Sequence, residues 1–274
     1  MPFIRDGRLL IQRAFEHGYA MPAFNICSLE MAKACVDAAE SERAPIIIQT
    51  YPGDLEHASP FVMANMVRAL AEEATVPVML HLDHGDSLGR TVACMRAGYS
   101  SVMFDGEAYP LDENIERTAQ VVRFAHAAGA SVEAAAGSFG GGEGGDDDIH
   151  LTEPDVAARL MSESGADMVA VSVGSMHGQS SQLDIARLAD IAAAVKKPLV
   201  LHGGTGIPAK DIAAALEHGV VKVNIGAGLQ RAVLRSWKNE QPSHYAGYAA
   251  AYDALFAVAT DKIRIMHASG QASS

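Results

Sequence analysis

The chain has 274 residues, 49% of them hydrophobic, enough for one large core or two small ones. Its 33 acidic against 21 basic residues give a formal charge of −12, which argues against nucleic acid or an anionic membrane as partner, since both select basic surfaces. Cys27, Cys35 and Cys94 stand far apart with no CxxC pair, so they read as reduced thiols of a cytoplasmic protein rather than a disulfide framework.

The opening stretch MPFIRDGRLLIQRAFEHG reads as an amphipathic helix with charges throughout, unlike a signal peptide's apolar run. No apolar run approaches the ~18 residues of a membrane span. Short β-type runs then follow at Tyr19–Ile26, Pro45–Thr50, Pro77–Asp83 and Ser101–Gly106. Four more occupy Ser131–Gly137, Met168–Gly174, Pro198–Gly206 and Val220–Gly226. Ala-rich helical patterns separate them, among them LTEPDVAARLMSES, where Thr152 is placed to cap and Pro154 falls in the first turn. IPAKDIAAALEHG closes on Gly219 as a helix stop. Leu229–Ile265 reads as a longer helical extension, and residues 267–274, HASGQASS, as a frayed tail.

Eight strands alternating with eight helical segments predict a single (β/α)8 TIM barrel spanning residues 1–274. A doubly wound open sheet also alternates, but no GxGxxG follows the first strand. The one low-complexity segment, GSFGGGEGGDDD, follows the fifth strand. It reads as a mobile lid over about residues 137–150 that carries Glu143 to the rim, or else as a solvated surface insertion.

In such a barrel, chemistry gathers at the C-terminal strand ends. Asp83 and His84 end the third predicted strand, Asp105 the fourth and His202 the seventh; His177 follows the sixth and Asn224 lies near the end of the eighth. A lone histidine at a strand end is most often a hydrogen-bonded structural residue. Three on one rim, each followed by glycine, suit Zn²⁺ with a fourth position left for substrate oxygens. His81 shares pleat parity with Asp83 one layer deeper, which fits support rather than coordination. His17, His57, His126, His218 and His244 fall on helices or loops as solvated or packing residues. The glycine-rich turns HGGTGIP and NIGAG follow the seventh and eighth strands, where barrels often hold a phosphate on backbone amides.

These motifs, in order, resemble the class II, metal-dependent ketose-bisphosphate aldolases, nearest the tagatose- and fructose-bisphosphate branch. The likeness runs from GYAMPAFNI through LHLDHGDS, VMFDG, SVEAAAGSFGGGE, VGSMHG and LHGGTGIP to VKVNIG. It implies zinc or another divalent ligand set at His84, His177 and His202, with Asp83 and Glu143 catalytic. It places substrate contacts at Asn25, Gly178, Gly203, Gly204, Thr205, Asn224, Ile225, Gly226 and Ala227. His81 and Asp105 are implied as supports around the ligands. It also implies a sugar-phosphate substrate, a monovalent cation as a further cofactor, and a homo-oligomer, dimer or tetramer.

Four departures stand out, the mildest being Thr205 in place of a usual serine. Ala135 replaces a glutamate of the usual VEAE-type run, leaving Asp105 of that pair. The segment HGQSSQLDI after His177 is short, and Ala227 and Gly228 stand where Thr and an acidic residue are usual. The leading reading is a lyase that cleaves a ketose phosphate to dihydroxyacetone phosphate and an aldehyde. An aldolase or epimerase for a non-phosphorylated or otherwise substituted ketose is the second, and a non-catalytic barrel subunit the third. No lysine stands at a strand end to suggest Schiff-base chemistry; Lys222, inside a strand, is the one candidate.

Overall fold

The computed structural model describes residues 3–137, 150–176, 178–238 and 241–273. Short strand β1 (Phe3–Ile4) precedes eight parallel strands that close on themselves. These are β2 (Met21–Asn25), β3 (Ile46–Thr50), β4 (Val78–Leu82), β5 (Ser101–Phe104), β6 (Ser131–Ala136), β7 (Met168–Val171), β8 (Leu199–Leu201) and β9 (Val220–Ile225). They pair in chain order, and β9 returns to β2 through Met21↔Lys222 and Phe24↔Ile225. The fold is the TIM barrel that the alternation predicts, and every predicted strand is present in shortened form. The run Pro198–Gly206 shrinks most, with Leu199–Leu201 alone assigned as strand. β3 and β4 are buried along their whole length, as parallel strands covered on both faces require.

Around the barrel lie α1 (Arg8–His17), α2 (Leu29–Glu42), α3 (Pro52–His57), α4 (Pro60–Glu73), α5 (Leu88–Ala97) and α6 (Leu111–Ala128). They continue with α7 (Pro154–Ser164), α8 (Ile185–Val195), α9 (Ala209–Leu216), α10 (Ala227–Ser236) and α11 (His244–Ile265). Serines start several of them. Ser28 accepts from the Met31 N–H at 3.4 Å, Ser87 from Arg90 at 3.2 Å and Ser243 from Ala246 at 3.2 Å, each satisfying an otherwise orphaned donor. Among the described residues no helix is long and apolar enough to cross a membrane.

Several local expectations are corrected. The opening stretch is not helical throughout, because Phe3 and Ile4 pair with Val78 and Met79 of β4. β5 meets β4 only at His81 and Leu82, so β1 covers the length of β4 that β5 leaves open. Thr152 does not cap α7, whose N-cap is Glu153. Its hydroxyl instead donates to the Ala136 carbonyl and accepts from the Ser172 N–H, tying the end of β6 to the chain beyond β7. α9 stops at Leu216, before Gly219. The C-terminal extension is two helices, and Ser243 starts the second.

The tail is docked rather than frayed across its described residues. Met266 and Ala268 are fully buried, and Gln271–Ser273 forms a 3-10 turn. The Gly270 and Ala272 N–H groups donate to the carbonyls of Glu42 and Arg43 at 2.8 and 2.9 Å, while Arg13 donates to the Gln271 carbonyl at 3.2 Å. The Glu42 carboxylate accepts from Arg264 at 2.7 and 3.0 Å and from the Ser269 hydroxyl at 2.7 Å. Glu42→Ala removes these acceptors but leaves the backbone ties. The expected loss is about 1 kcal/mol, because Arg264 is mostly exposed. Thermal unfolding reads that loss, and amide exchange should rise first over residues 267–273. Exchange there equal to wild type would refute the clasp.

Candidate active site

Strand order explains how distant residues meet. Asn25, Gln49 and His81 stand in register across β2, β3 and β4, and the ladder continues to Ser101 on β5. Lys222 and Asn224 share the inward parity of β9, next to β2. The Asp83 N–H still donates to the Thr50 carbonyl at 2.9 Å, so Asp83 is held as an extension of β4. The chain then turns sharply. His84 has φ +49°, and a side chain at Gly85 would collide with the Met103 carbonyl of β5. On the opposite wall Gly203 has φ +68°, and a Cβ there would lie 2.6 Å from the Met176 carbonyl oxygen.

These turns bring two imidazoles together, with His84 Nε2 3.1 Å from His202 Nδ1. Each ring's other nitrogen points at a carboxylate. His84 Nδ1 donates to Asp105 at 2.6 Å, and His202 Nε2 donates to Glu133 at 3.1 Å. When each ring keeps its proton only on the nitrogen that faces a carboxylate, two lone pairs converge on one point, an arrangement that a cation stabilises. Two nitrogens bound to one tetrahedral Zn²⁺ stand about 3.3 Å apart, given Zn–N bonds of about 2.0–2.1 Å. Asp83 completes a group whose ligand atoms all lie within 4.8 Å of one another. The residues fit a divalent metal.

Asp83 is nearly buried, and its carboxylate accepts three side-chain amides. Asn25 and Gln49 donate to one oxygen at 2.8 and 3.1 Å, and Asn224 donates to the other at 2.9 Å. Burial alone would raise its pKa, but charge on His84, His202 and Lys222 together with the Asn25 bond pulls it far below the usual range. Burial likewise opposes charge on His84, yet the Asp83 and Asp105 carboxylates outweigh it and raise the ring to about 9. His202 is lowered to about 4 by burial, despite its bond to Glu133. His81 is pushed to about 3, by burial first and then by the Lys222 charge. Its Nδ1 lies 2.7 Å from the Ser101 hydroxyl and its Nε2 faces Glu133 at 3.4 Å, one layer below Asp83.

Three residues beyond the sequence-derived set belong to this cluster. Glu133, fully buried, pairs with Lys222 at 2.9 Å while accepting from His202. Lys222 also donates to the Asn224 side-chain oxygen at 2.6 Å. Its ammonium is thus engaged on two sides and fully buried, which removes it as a Schiff-base nucleophile. Gln49 is the third. The available signal was a long polar side chain set between apolar neighbours in a mostly apolar run: Gln49 in IIIQT, Glu133 in VEAAA and Lys222 in VVKV.

The glycine-rich turns sit side by side on the rim. The Gly228 N–H donates to the Thr205 hydroxyl at 3.0 Å, and the Ala227 Cβ lies 3.5 Å from where a Gly178 side chain would begin. Gly204 donates to the Asn224 carbonyl at 2.9 Å, and Gly226 borders Asn25. Ile225 is fully buried, so the structure does not open it to a ligand. His177, Glu143 and the predicted lid from residue 138 to 149 lie outside the described residues.

The class-II fructose-bisphosphate aldolase family model matches residues 6–271. A fructose-bisphosphate aldolase of Streptococcus pyogenes serotype M6 is 39% identical over 251 residues, covering 89% of this chain and 85% of that protein. One from Staphylococcus epidermidis is 38% identical over 233 residues, covering 82% and 81%. The crystal structure of the YdjI aldolase from Escherichia coli K12 superposes with a TM-score of 0.88 at 32% identity, over 99% of this chain and all of that one. The chain belongs to the class II fructose-bisphosphate aldolase family, a family of metal-dependent carbon–carbon lyases.

Proposed function

We propose that the chain catalyses reversible retro-aldol cleavage of a ketose phosphate, giving dihydroxyacetone phosphate and an aldehyde. The observation that carries this is the pair of imidazole nitrogens 3.1 Å apart, each ring braced by a carboxylate, beside the amide-clamped Asp83. His84, His202 and His177 would hold the metal, Zn²⁺ being the ion their nitrogen set suits best. Bound there, a divalent ion supplies Lewis acidity beside the ketose carbonyl.

The chain's own groups then handle the protons. Asp83, ionised and fixed by Asn25, Gln49 and Asn224, takes the proton from the C4 hydroxyl. The C3–C4 bond breaks, C4 becomes the aldehyde carbon, and the electron pair stays on C3. Glu143, carried by the glycine-rich lid, delivers a proton to C3. In the condensation direction both transfers reverse. His81 and Asp105 hold their neighbours in orientation and touch no substrate. The phosphate sits against Gly178, Gly203, Gly204 and Thr205 and the start of α10 at Gly226 and Ala227, where the glycine-rich backbone and the helix dipole favour an anion. A bound monovalent cation on that side is part of the proposal.

A second reading concerns the substrate alone. Gly226, Ala227 and Gly228 bring no polar side chain to the anion side, which favours a ketose with a different terminal group. Aldehyde release from a panel of ketose phosphates and unphosphorylated ketoses decides between the two. Exposed Leu234, Trp237, Tyr245 and Tyr248 on and beside α10 and α11 form an apolar surface suited to a homo-oligomer, dimer or tetramer. A reducing cytoplasmic setting suits Cys27, Cys35 and Cys94, all free thiols.

Two sets of variants test the roles. His84→Ala should lose stoichiometric metal and all turnover, whereas Asp83→Asn should keep metal and lose turnover by a factor of about 10³ or more. Metal analysis beside single-turnover cleavage reads both, and full activity in excess chelator would end the metal-lyase reading. Glu133→Gln leaves the Lys222 ammonium buried without its counter-charge. It should destabilise the fold by about 3–5 kcal/mol and weaken metal binding about 10–100-fold. Denaturant unfolding and chelator competition measure the two effects, and wild-type metal affinity would refute the bracing role.

A further inference from the structure

The surplus of negative charge on this chain works against an anionic substrate, so the points where positive charge approaches the barrel mouth matter. Lys222 is tied to Glu133, and Arg231 is exposed and donates to the Gly178 carbonyl at 2.8 Å. A further cation is Lys262, near the end of α11, a helix of the outer layer that packs chiefly on α2 and α10. Lys262 is only 9% exposed. Its ammonium approaches two carbonyl oxygens, Gly204 and Thr205, each at 3.4 Å, rather than a carboxylate. Burial lowers its pKa, with only the neighbouring Asp261 charge opposing the shift. A methionine would fill the same space without that desolvation cost.

The geometry of the peptide unit shows what the ammonium does. In a trans peptide the C=O and the following N–H point in opposite directions. An ammonium held against the Gly204 oxygen therefore aims the Thr205 N–H away from α11, toward the rim that carries His202. Gly204 donates to Asn224 and Gly206 to Gly203, but the Thr205 N–H has no partner among the described residues. The Thr205 hydroxyl meanwhile accepts from Gly228 at 3.0 Å, locking the same residue to the start of α10.

We infer that Lys262 is a positioning residue for the substrate phosphate: its ammonium fixes the 204–205 peptide from behind, so that the Thr205 N–H faces the phosphate, and adds its charge to that side. This rests on the phosphate reading of the glycine-rich turns. It gives α11 a part in substrate recognition without contact with the substrate.

The test compares binding of dihydroxyacetone phosphate, dihydroxyacetone and inorganic phosphate by calorimetry, in wild type, Lys262→Met and Lys262→Arg, all metal-loaded. Lys262→Met should weaken the two phosphate-bearing ligands about tenfold or more. Dihydroxyacetone binding should stay within about twofold and metal content should be unchanged. Lys262→Arg, which keeps the charge and the donors, should recover most of the loss. Equal weakening of all three ligands, or lost metal, would mark Lys262 as a mere strut and overturn the inference. If Lys262→Met does not fold, Lys262→Gln keeps a donor without the charge, and wild-type phosphate affinity in that variant is equally fatal. Should wild type itself bind dihydroxyacetone as tightly as its phosphate, the phosphate reading falls and the inference with it. If wild type discriminates and Lys262→Met discriminates equally, only the inference about Lys262 fails.

Discussion

Glu133 is a carboxylate buried inside the barrel, and the geometry of the site radiates from it. It faces Lys222 at 2.9 Å, His202 at 3.1 Å and His81 at 3.4 Å. A charge at that depth is tolerable only when its neighbours compensate it, so each must hold its place. The constraint is passed on: Lys222 bonds Asn224, and Asn224 bonds Asp83. The ring that would bind metal and the carboxylate that would move a proton are thus two ends of one chain of hydrogen bonds and an ion pair inside the barrel. Closure of β9 onto β2 completes it, because Asn25 and Lys222 come from those two strands.

The two halves of the rim are built differently. Around His84, His202 and Asp83 side chains bond mainly to other side chains, and burial makes each bond count. On the side proposed for the substrate's anion stand glycine-rich turns, tied together through Thr205 and backed by Lys262. On the proposed reading, bond breaking would rest on the interlocked side chains, and recognition of the substrate's ends on a few exchangeable loop positions such as Ala227 and Gly228. That division would place the aldol chemistry and the choice of ketose on separate physical supports.

The barrel and most of the rim were legible because both rest on simple periodicities. Apolar runs bounded by turn residues marked the strands, and the residues just past them, Asp83, His84, Asp105 and His202, do come together. The supports inside the strands were harder to see. Both faces of a parallel barrel strand are buried, so parity alone does not say whether Glu133 or Lys222 faces the axis or the helices. Phe3 and Ile4 look like the start of a helix because their strand exists only where β5 leaves part of β4 uncovered. Thr152 has the right type and spacing for a cap, but a tertiary bond to the end of β6 claims its hydroxyl. The composition of HASGQASS suggests fraying, yet the Gly270 and Ala272 N–H groups donate to the carbonyls of Glu42 and Arg43, partners that composition cannot reveal.

The turn at His84 also bears on how the chain can vary. φ there is +49°, and the β5 backbone forbids the next residue a side chain, so the main chain itself limits what can stand at this turn. Few residue types sit comfortably in that left-handed conformation, and asparagine and aspartate are foremost among the non-glycines that do. Of those two, only aspartate brings a charged ligand atom, and it would stand beside two other carboxylates, Asp83 and Asp105. The substitution alphabet at this position is accordingly close to one letter, for reasons of backbone geometry as much as of coordination chemistry.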